Sequence, residues 1–98
     1  MTATSTTVTL ERTLQRSEDV LFQDVGGEAV LLDMASEQYF GLDPVGTRIW
    51  ELIDGQRTLA LIHDVLCSEY DAEPERIADD LLALAQSLLQ AGLATSRG

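Results

Sequence analysis

Lysine is absent from this sequence. The 6 basic side chains are all arginines and stand against 17 aspartates and glutamates, so the formal net charge is -11. Phosphate neutralisation supplies most non-specific nucleic-acid affinity, and a surface this acidic repels both a phosphate backbone and an anionic lipid leaflet. The composition therefore excludes a general nucleic-acid binder, and it predicts a partner that is neutral or basic where the two touch.

Cysteine and long apolar runs are also scarce. Cys67 is the only cysteine, which excludes an intramolecular disulfide and a cysteine-rich zinc site. No apolar run approaches the roughly 18 residues of a membrane span, and Met1 to Thr7 lacks the basic and apolar regions of a signal peptide. We therefore expect a cytoplasmic protein that does not engage a membrane and is stabilised by packing.

Groups with catalytic or metal-binding potential are few. His63 and Cys67 share a helical face at i and i+4, but two ligands are too few for zinc, and a Cys-His nucleophile needs an orienting group and a pocket. Cys67 is better interpreted as a small buried hydrophobe. Asp79 and Asp80 diverge by about 100° on a helix, so they do not converge as an acid-base pair would. We expect no enzyme activity, no metal and no cofactor.

The 98 residues, 45% of them apolar, suffice for one small domain. Residues 1–17 are expected to be a flexible N-terminal segment, although the structure of residues 8–16 is undecided between a loop and an edge strand. The organised domain is expected at 18–95, with a tail at 96–98. A chain this short has a small hydrophobic core, and an enclosed substrate cavity would remove too much of it. Binding at a surface groove is therefore favoured.

Three short strands are predicted first. Val20 to Val25 and Ala29 to Asp33 are rich in apolar and β-branched residues and flank Gly26-Gly27, which suits a type I′ hairpin turn. A second turn at Met34 to Glu37 leads into Gln38 to Leu42. These three strands should form an antiparallel meander.

Three helices follow, because apolar residues then recur at three- and four-residue steps. Gly92 predicts a Schellman-type end at which Leu93 folds back onto Leu88. The first helix is predicted to begin at Asp43-Pro44 and to end at Gly55. The second should begin at Thr58 and end at Tyr70-Asp71, and the third should begin at Pro74 and end at Gly92. The expected fold is α+β, in the order β-β-β-α-α-α.

The residues from Val20 to Leu93 resemble the PqqD-like family, whose members recognise the leader peptides of ribosomally synthesised, post-translationally modified peptides. GEAVLLD from Gly27, QYFGLDPVGTRIWELIDG from Gln38, and the spaced Tyr70, Asp80-Leu81 and Gly92-Leu93 carry the resemblance. It covers about three-quarters of the chain. Asp43 departs slightly from the family, where Asn is frequent, but both residues cap helices well.

The resemblance implies a winged helix-turn-helix fold that acts as a non-catalytic peptide chaperone. The precursor leader would add as an antiparallel strand to the free edge of the third strand, in a groove walled by the third helix. The partners would be that leader and the modifying enzyme or leader peptidase of its pathway. The peptide-binding residues expected on this basis, some of which must point into the core, are Gln38, Tyr39, Phe40, Gly41, Leu42, Asp43, Ile77, Asp80, Leu81, Leu84 and Leu88.

Strand alternation divides the edge residues. Phe40 and Leu42 should face the core, whereas Tyr39 and Gly41 should face the other way. Gly41 either admits an approaching backbone or forms a bulge. Trp50, next to apolar Ile49, is interpreted as core or interface packing.

Two further classes of function stay open beside the peptide chaperone. A winged-helix transcription regulator or another protein-interaction adaptor shares the fold class, although the third helix carries Glu75, Asp79 and Asp80 with Arg76 as its clear cation. A small enzyme or metal protein is the third class. An exposed strand edge can also pair with a second copy of itself, which leaves a homodimer open.

Overall fold

The structure is a computed structural model that describes residues 9–26 and 28–97. Its strands and helices, in chain order, are β1 (Leu14–Arg16), β2 (Val20–Val25), β3 (Glu28–Asp33), β4 (Gln38–Leu42), α1 (Pro44–Leu52), α2 (Leu59–Glu69), α3 (Pro74–Gln90) and β5 (Ala94–Ser96). Over these residues no helix combines the length and apolar character that crossing a bilayer requires.

The central sheet is the predicted antiparallel meander, with strands in the order β2-β3-β4. At the β2–β3 turn Gly26 has a φ of 62°, the left-handed value that glycine adopts without strain. Gly27, the other half of the predicted turn, lies outside the described residues. The β3–β4 turn is held by the Asp33 carboxylate, which accepts from the Ala35 N–H at 3.1 Å and the Ser36 hydroxyl at 2.9 Å.

The three helices begin and end close to the predicted signals. Asp43 caps α1 by accepting from the Gly46 N–H at 2.6 Å, and Thr58 caps α2 by accepting from the Leu61 N–H at 3.2 Å. At the end of α3, Gly92 has a φ of 76° and the Leu93 N–H donates to Leu88 O at 2.9 Å. That bond confirms the predicted Schellman-type end.

The core lies between the sheet and the helices. One face of β3 points inward, and on α3 the inward stripe repeats at three- and four-residue steps. Trp50 belongs to this core, with 3% of its surface exposed, and the Arg16 guanidinium lies 5.4 Å from its ring centroid. The large side chains that are fully buried are Leu14, Leu31, Ile49, Ile53, Leu59, Ile62, Leu66, Leu81, Leu88 and Leu93.

A second, two-stranded sheet extends the folded unit beyond the expected 18–95. β1 pairs antiparallel with β5, and Leu14 in β1 is 1% exposed. Arg16 fastens this sheet to the end of α1, since its Nε donates to Ile53 O at 2.8 Å. Leu14–Arg16 thus form a strand, one of the two structures expected for residues 8–16, and β5 reaches Ser96, one residue beyond the expected end of the domain. Residues 1–8 lie outside the described part of the chain.

An ion pair joins α1 to α2. Arg48 donates from Nε and Nη2 to the two carboxylate oxygens of Glu69, at 2.9 and 2.7 Å, and from Nη1 to Glu51 at 3.2 Å. The hydrogen bonds from Arg48 lower the pKa of the Glu69 carboxyl below its ordinary value of 4.5. They also raise the pKa of Arg48, which is charged at any accessible pH.

We expect the Arg48–Glu69 ion pair to make part of the free energy of unfolding depend on pH in the acidic range. The pKa of Glu69 is lower in the folded chain than in the unfolded chain, so its contribution is present above the unfolded value and is lost as pH falls through the folded value. Urea unfolding from about pH 6 to 3 should show the wild type losing its advantage over Glu69→Gln as the solution becomes acidic. Glu18→Gln is the control, because the Glu18 carboxyl is exposed and forms no salt bridge within the described residues. An advantage that persists unchanged in acid would contradict this account.

Candidate peptide-binding groove at the β4 edge

The candidate site is built on β4, a strand whose outer edge is unpaired. β4 pairs with β3 through residues 38–42, and among residues 9–26 and 28–97 no strand pairs with its other side. A strand at the margin of a sheet directs alternate N–H and C=O groups away from its one neighbour. These groups are available to an extended chain laid alongside β4.

A groove of about 370 Å³ lies beside this edge. β4 forms one side, the first two turns of α1 form the floor, and α3 forms the other side. Most of the surface is apolar, with carboxylates at one end. Its lining residues are Phe40, Gly41, Leu42, Asp43, Val45, Gly46, Ile49, Asp80, Ala83 and Leu84.

Local sequence explains how α1 comes to form the floor. The Asp43 cap and Pro44 at the first helical position begin the helix directly after β4, so its first turns stay beside the strand. Gly46 has no side chain to occupy the groove, and a Cβ there would lie 3.1 Å from Asp43 Oδ1 and 3.5 Å from Leu84 Cδ2. A larger residue at this position would reduce the space between α1 and α3.

The groove has a direction, because β4 and α3 run antiparallel. At the Leu42 end, β4 faces Asp80 in the first half of α3. At the Gln38 end it faces Ala91, just beyond the last turn, across a smaller cleft of about 40 Å³ that also contains Tyr39.

The structure separates the predicted residues into those in the groove and those outside it. Phe40, Gly41, Leu42, Asp43, Asp80 and Leu84 line the groove. Gln38 and Tyr39 line the smaller cleft beyond the other end of the groove.

Three of the residues expected on α3 do not reach the groove. Ile77, Leu81 and Leu88 are 7%, 0% and 0% exposed and belong to the core. They lie on the stripe of α3 that faces the other helices and the sheet, whereas Asp80 and Leu84 lie on the flank that faces β4. They are therefore the members of the expected set that point into the core.

Four lining residues were missed by the sequence prediction: Val45, Gly46, Ile49 and Ala83. Ala83 had a detectable signal, since it lies three residues after Asp80 and thus on the same flank of α3. The α1 residues had none, because their apolar spacing is equally typical of a helix that only packs against a core.

Gly41 lies in regular strand. The register between residues 29–33 and 38–42 is unbroken, with Gly41 opposite Val30, so the bulge interpretation is wrong. A Cβ built at Gly41 meets nothing within 4 Å. Tyr39 is 73% exposed on the outer face of the sheet, while Phe40 is half-buried and Leu42 is 6% exposed. The predicted alternation is therefore confirmed.

The other candidate chemical groups do not form a site. The Cys67 Sγ lies 3.5 Å from His63 Nε2, and that nitrogen is also 2.8 Å from Pro74 O. Cys67 is half-buried and packs against the hydrophobic core, in agreement with its interpretation as a small apolar side chain. Within the described ranges, no three His, Cys, Asp or Glu residues are arranged to hold a metal ion.

Together, the fold and the groove define a small α+β domain with an open edge strand facing a helix, and known proteins share this arrangement. The model of a family described as Coenzyme PQQ synthesis protein D (PqqD) matches residues 28–94. This chain belongs to the PqqD family, which confirms the resemblance found in the sequence.

Curated relatives agree with this assignment. The PqqA binding protein of Rhodopseudomonas palustris strain HaA2 is 32% identical over 82 residues, which cover 84% of this chain and 78% of that protein. The bifunctional coenzyme PQQ synthesis protein C/D of Methylorubrum extorquens is 35% identical over 77 residues. This match covers 79% of the present chain but only 20% of the bifunctional protein.

Two solved structures are similar over almost their whole length. TbiB1 in complex with the TbiA(beta) leader peptide has 31% sequence identity and a TM-score of 0.75, with 86% of this chain and 98% of that chain covered. Lasso peptide synthetase B1 complexed with the leader peptide has 26% identity and a TM-score of 0.74, with 84% and 96% covered.

Proposed function

We propose that this chain is a non-catalytic peptide chaperone for a ribosomally synthesised, post-translationally modified peptide. It binds the leader of the precursor as an added antiparallel strand on β4 and presents the attached core peptide to a modifying enzyme or leader peptidase. The observation that carries the proposal is the open edge of β4 beside a groove that is more apolar than polar. Relatives named as PqqA binding proteins and leader-bound structural neighbours support it.

The physical basis is strand addition. Main-chain hydrogen bonds to β4 provide affinity that does not depend on sequence, while alternate side chains of the guest enter the groove and provide selectivity. The leader and its core are one chain, so holding the leader near an enzyme raises the local concentration of the core at that enzyme. No chemistry by the domain itself is required.

The finer assignments belong to the same proposal: a winged helix-turn-helix fold that works in the cytoplasm. Duplex DNA is disfavoured as the partner, since the exposed residues on α3 include Glu75, Asp79 and Asp80. The β4 edge that takes the leader could instead pair with a second copy of the chain, and leader binding would then compete with dimerisation.

Fluorescence polarisation with a labelled leader, taken from a precursor encoded beside this chain's gene, tests the proposal. We expect Tyr39→Ala to lower leader affinity by roughly two- to tenfold, the loss of one aromatic contact, with little change in melting temperature because the ring is exposed. Leu61→Ala, at a residue 52% exposed on α2, is the matched control. Parallel losses of affinity and melting temperature would instead indicate damage to the fold. Tight, salt-sensitive binding of random duplex DNA in an electrophoretic shift assay would overturn the proposal itself.

A further inference from the structure

The two ends of the groove differ in charge. Asp43 and Asp80 both line the end near Leu42, and none of the arginines lines any part of the groove. The smaller cleft at the opposite end, beside Gln38 and Ala91, contains one carboxylate, Asp33, and both of its oxygens accept hydrogen bonds within the β3–β4 turn. An extended guest therefore has two carboxylates at the Leu42 end of the groove and an apolar surface next to them.

The carboxylates at this end are not neutralised by the fold. Asp43 Oδ1 accepts from the Gly46 N–H, and the structure gives Oδ2 no partner within the residues it describes. The Asp80 side chain is exposed and has no ion pair or hydrogen bond within the described residues, and Arg76, one turn earlier, forms no ion pair with it. The two charges remain available to a bound peptide.

Helix-dipole stabilisation does not account for Asp80. The favourable effect of a carboxylate on the helix dipole falls off within the first turn. α3 begins at Pro74, so Glu75 lies in that turn and Asp80 lies in the second. The position of Asp80 is better explained by what it faces, which is the open side of the groove.

The direction of the added strand determines which guest residue meets these charges. A strand antiparallel to β4 begins at the Leu42 end and runs towards the Gln38 end. Its side chains alternate, so a residue that enters the groove over Leu42 and Ile49 is preceded, two positions earlier, by another residue on the same side. That earlier side chain points towards Asp43 and Asp80.

We propose that this groove selects leaders in which an apolar residue is preceded, two positions towards the N-terminus, by arginine or lysine. The proposal rests on the leader-binding function above and specifies its substrate class. The apolar side chain fills the space between Leu42, Ile49 and Leu84, and the cation lies between the Asp43 and Asp80 carboxylates. A hydrophobic stem with a charged tip suits a groove whose apolar walls end in carboxylates.

A phage-displayed library of random nine-residue peptides, selected on the full chain at low salt, supplies the probe. We expect the enriched peptides to share an apolar residue with a basic residue two positions before it. In polarisation titrations of one such synthetic peptide, Arg→Gln at that position should weaken binding about two- to fivefold, as expected for an exposed ion pair. The difference should shrink as salt is added.

Matched variants assign the effect to the groove. Asp80→Asn should remove most of the difference between the Arg and Gln peptides, and Asp43→Asn should reduce it while keeping the helix cap, because Asn caps helices as well as Asp. Asp79→Asn makes the same change of charge one residue away, outside the groove lining, and should leave the difference intact. Circular dichroism melts of all three variants check that they fold.

The possible failures are distinguishable. Enriched peptides that have the apolar residue without a basic preference, or with the basic residue after it, would overturn this inference and leave the leader-binding function standing. Peptides whose binding is unaffected when the groove is filled by Ala83→Trp would overturn the leader-binding function at this site as well.

Discussion

Ala83→Trp is expected to reduce leader affinity by at least about tenfold while leaving the fold unchanged. Ala83 is an exposed residue of α3 that lines the groove, so an indole there projects into the space that the guest side chain would occupy. Burying one large apolar side chain contributes roughly 1.5–3 kcal/mol, and every 1.4 kcal/mol corresponds to about a tenfold change in affinity. Polarisation titration of the labelled leader measures the loss.

Ala72→Trp is the control for this experiment. Ala72 is exposed in the α2–α3 connection and does not line the groove, so the same indole should leave affinity unchanged there. Surface substitutions usually alter the free energy of unfolding by no more than about 0.5 kcal/mol, and both variants should therefore melt near the wild type. Undiminished leader binding by Ala83→Trp would show that the peptide binds elsewhere.

Leu14→Ala is expected to cost about 2–5 kcal/mol of unfolding free energy, a large part of the roughly 5–15 kcal/mol of a small domain. Leu14 is 1% exposed within the core, and β1 has no other fully buried side chain. Its truncation leaves a cavity and weakens the contact that holds β1 and β5 on the helices. Urea unfolding followed by circular dichroism measures the change.

Leu21→Ala provides the comparison. Leu21 is 46% exposed on β2, so shortening it should cost much less than shortening Leu14. A loss for Leu14→Ala no larger than the loss for Leu21→Ala would contradict this account, because Leu14 would then contribute little to the core.

The central sheet and the helices could be predicted because their signals are local. A capping residue such as Asp43, the proline after it, and Gly92 in a helix end each specify backbone geometry within a few residues. The alternation of Tyr39, Phe40 and Leu42 similarly defines the two faces of a strand. Such signals require no knowledge of what packs against the element.

The β1–β5 sheet could not be predicted in this way. Each strand has three residues, too few to establish a period of two, and the partners lie about eighty positions apart in the chain. Their pairing is stabilised by burial of Leu14 and by the hydrogen bond from Arg16 to Ile53 O, which joins elements distant in sequence. Only the assembled fold brings these groups together.

The site could be predicted on β4 more fully than on α3. A strand has two faces, so alternation alone separates Phe40 from Tyr39. A helix presents side chains all round, and Leu81 and Leu84 look equivalent in the sequence although Leu81 is buried in the core and Leu84 lines the groove. The rotation of α3 about its axis decides between them, and that rotation depends on tertiary packing.

The pairing of β1 with β5 places the two ends of the domain side by side. Leu14 lies opposite Ser96, and the residues before Leu14 continue to the start of α2, where Arg12 O and Leu10 O accept from the N–H groups of Leu59 and Ala60. No residue of β1, β5 or this preceding segment lines the groove, so a linker or a fused enzyme joined to them would not interrupt β4 or α3. The domain is thus built as a portable module, and gene fusion could transfer it between biosynthetic enzymes with its binding edge intact.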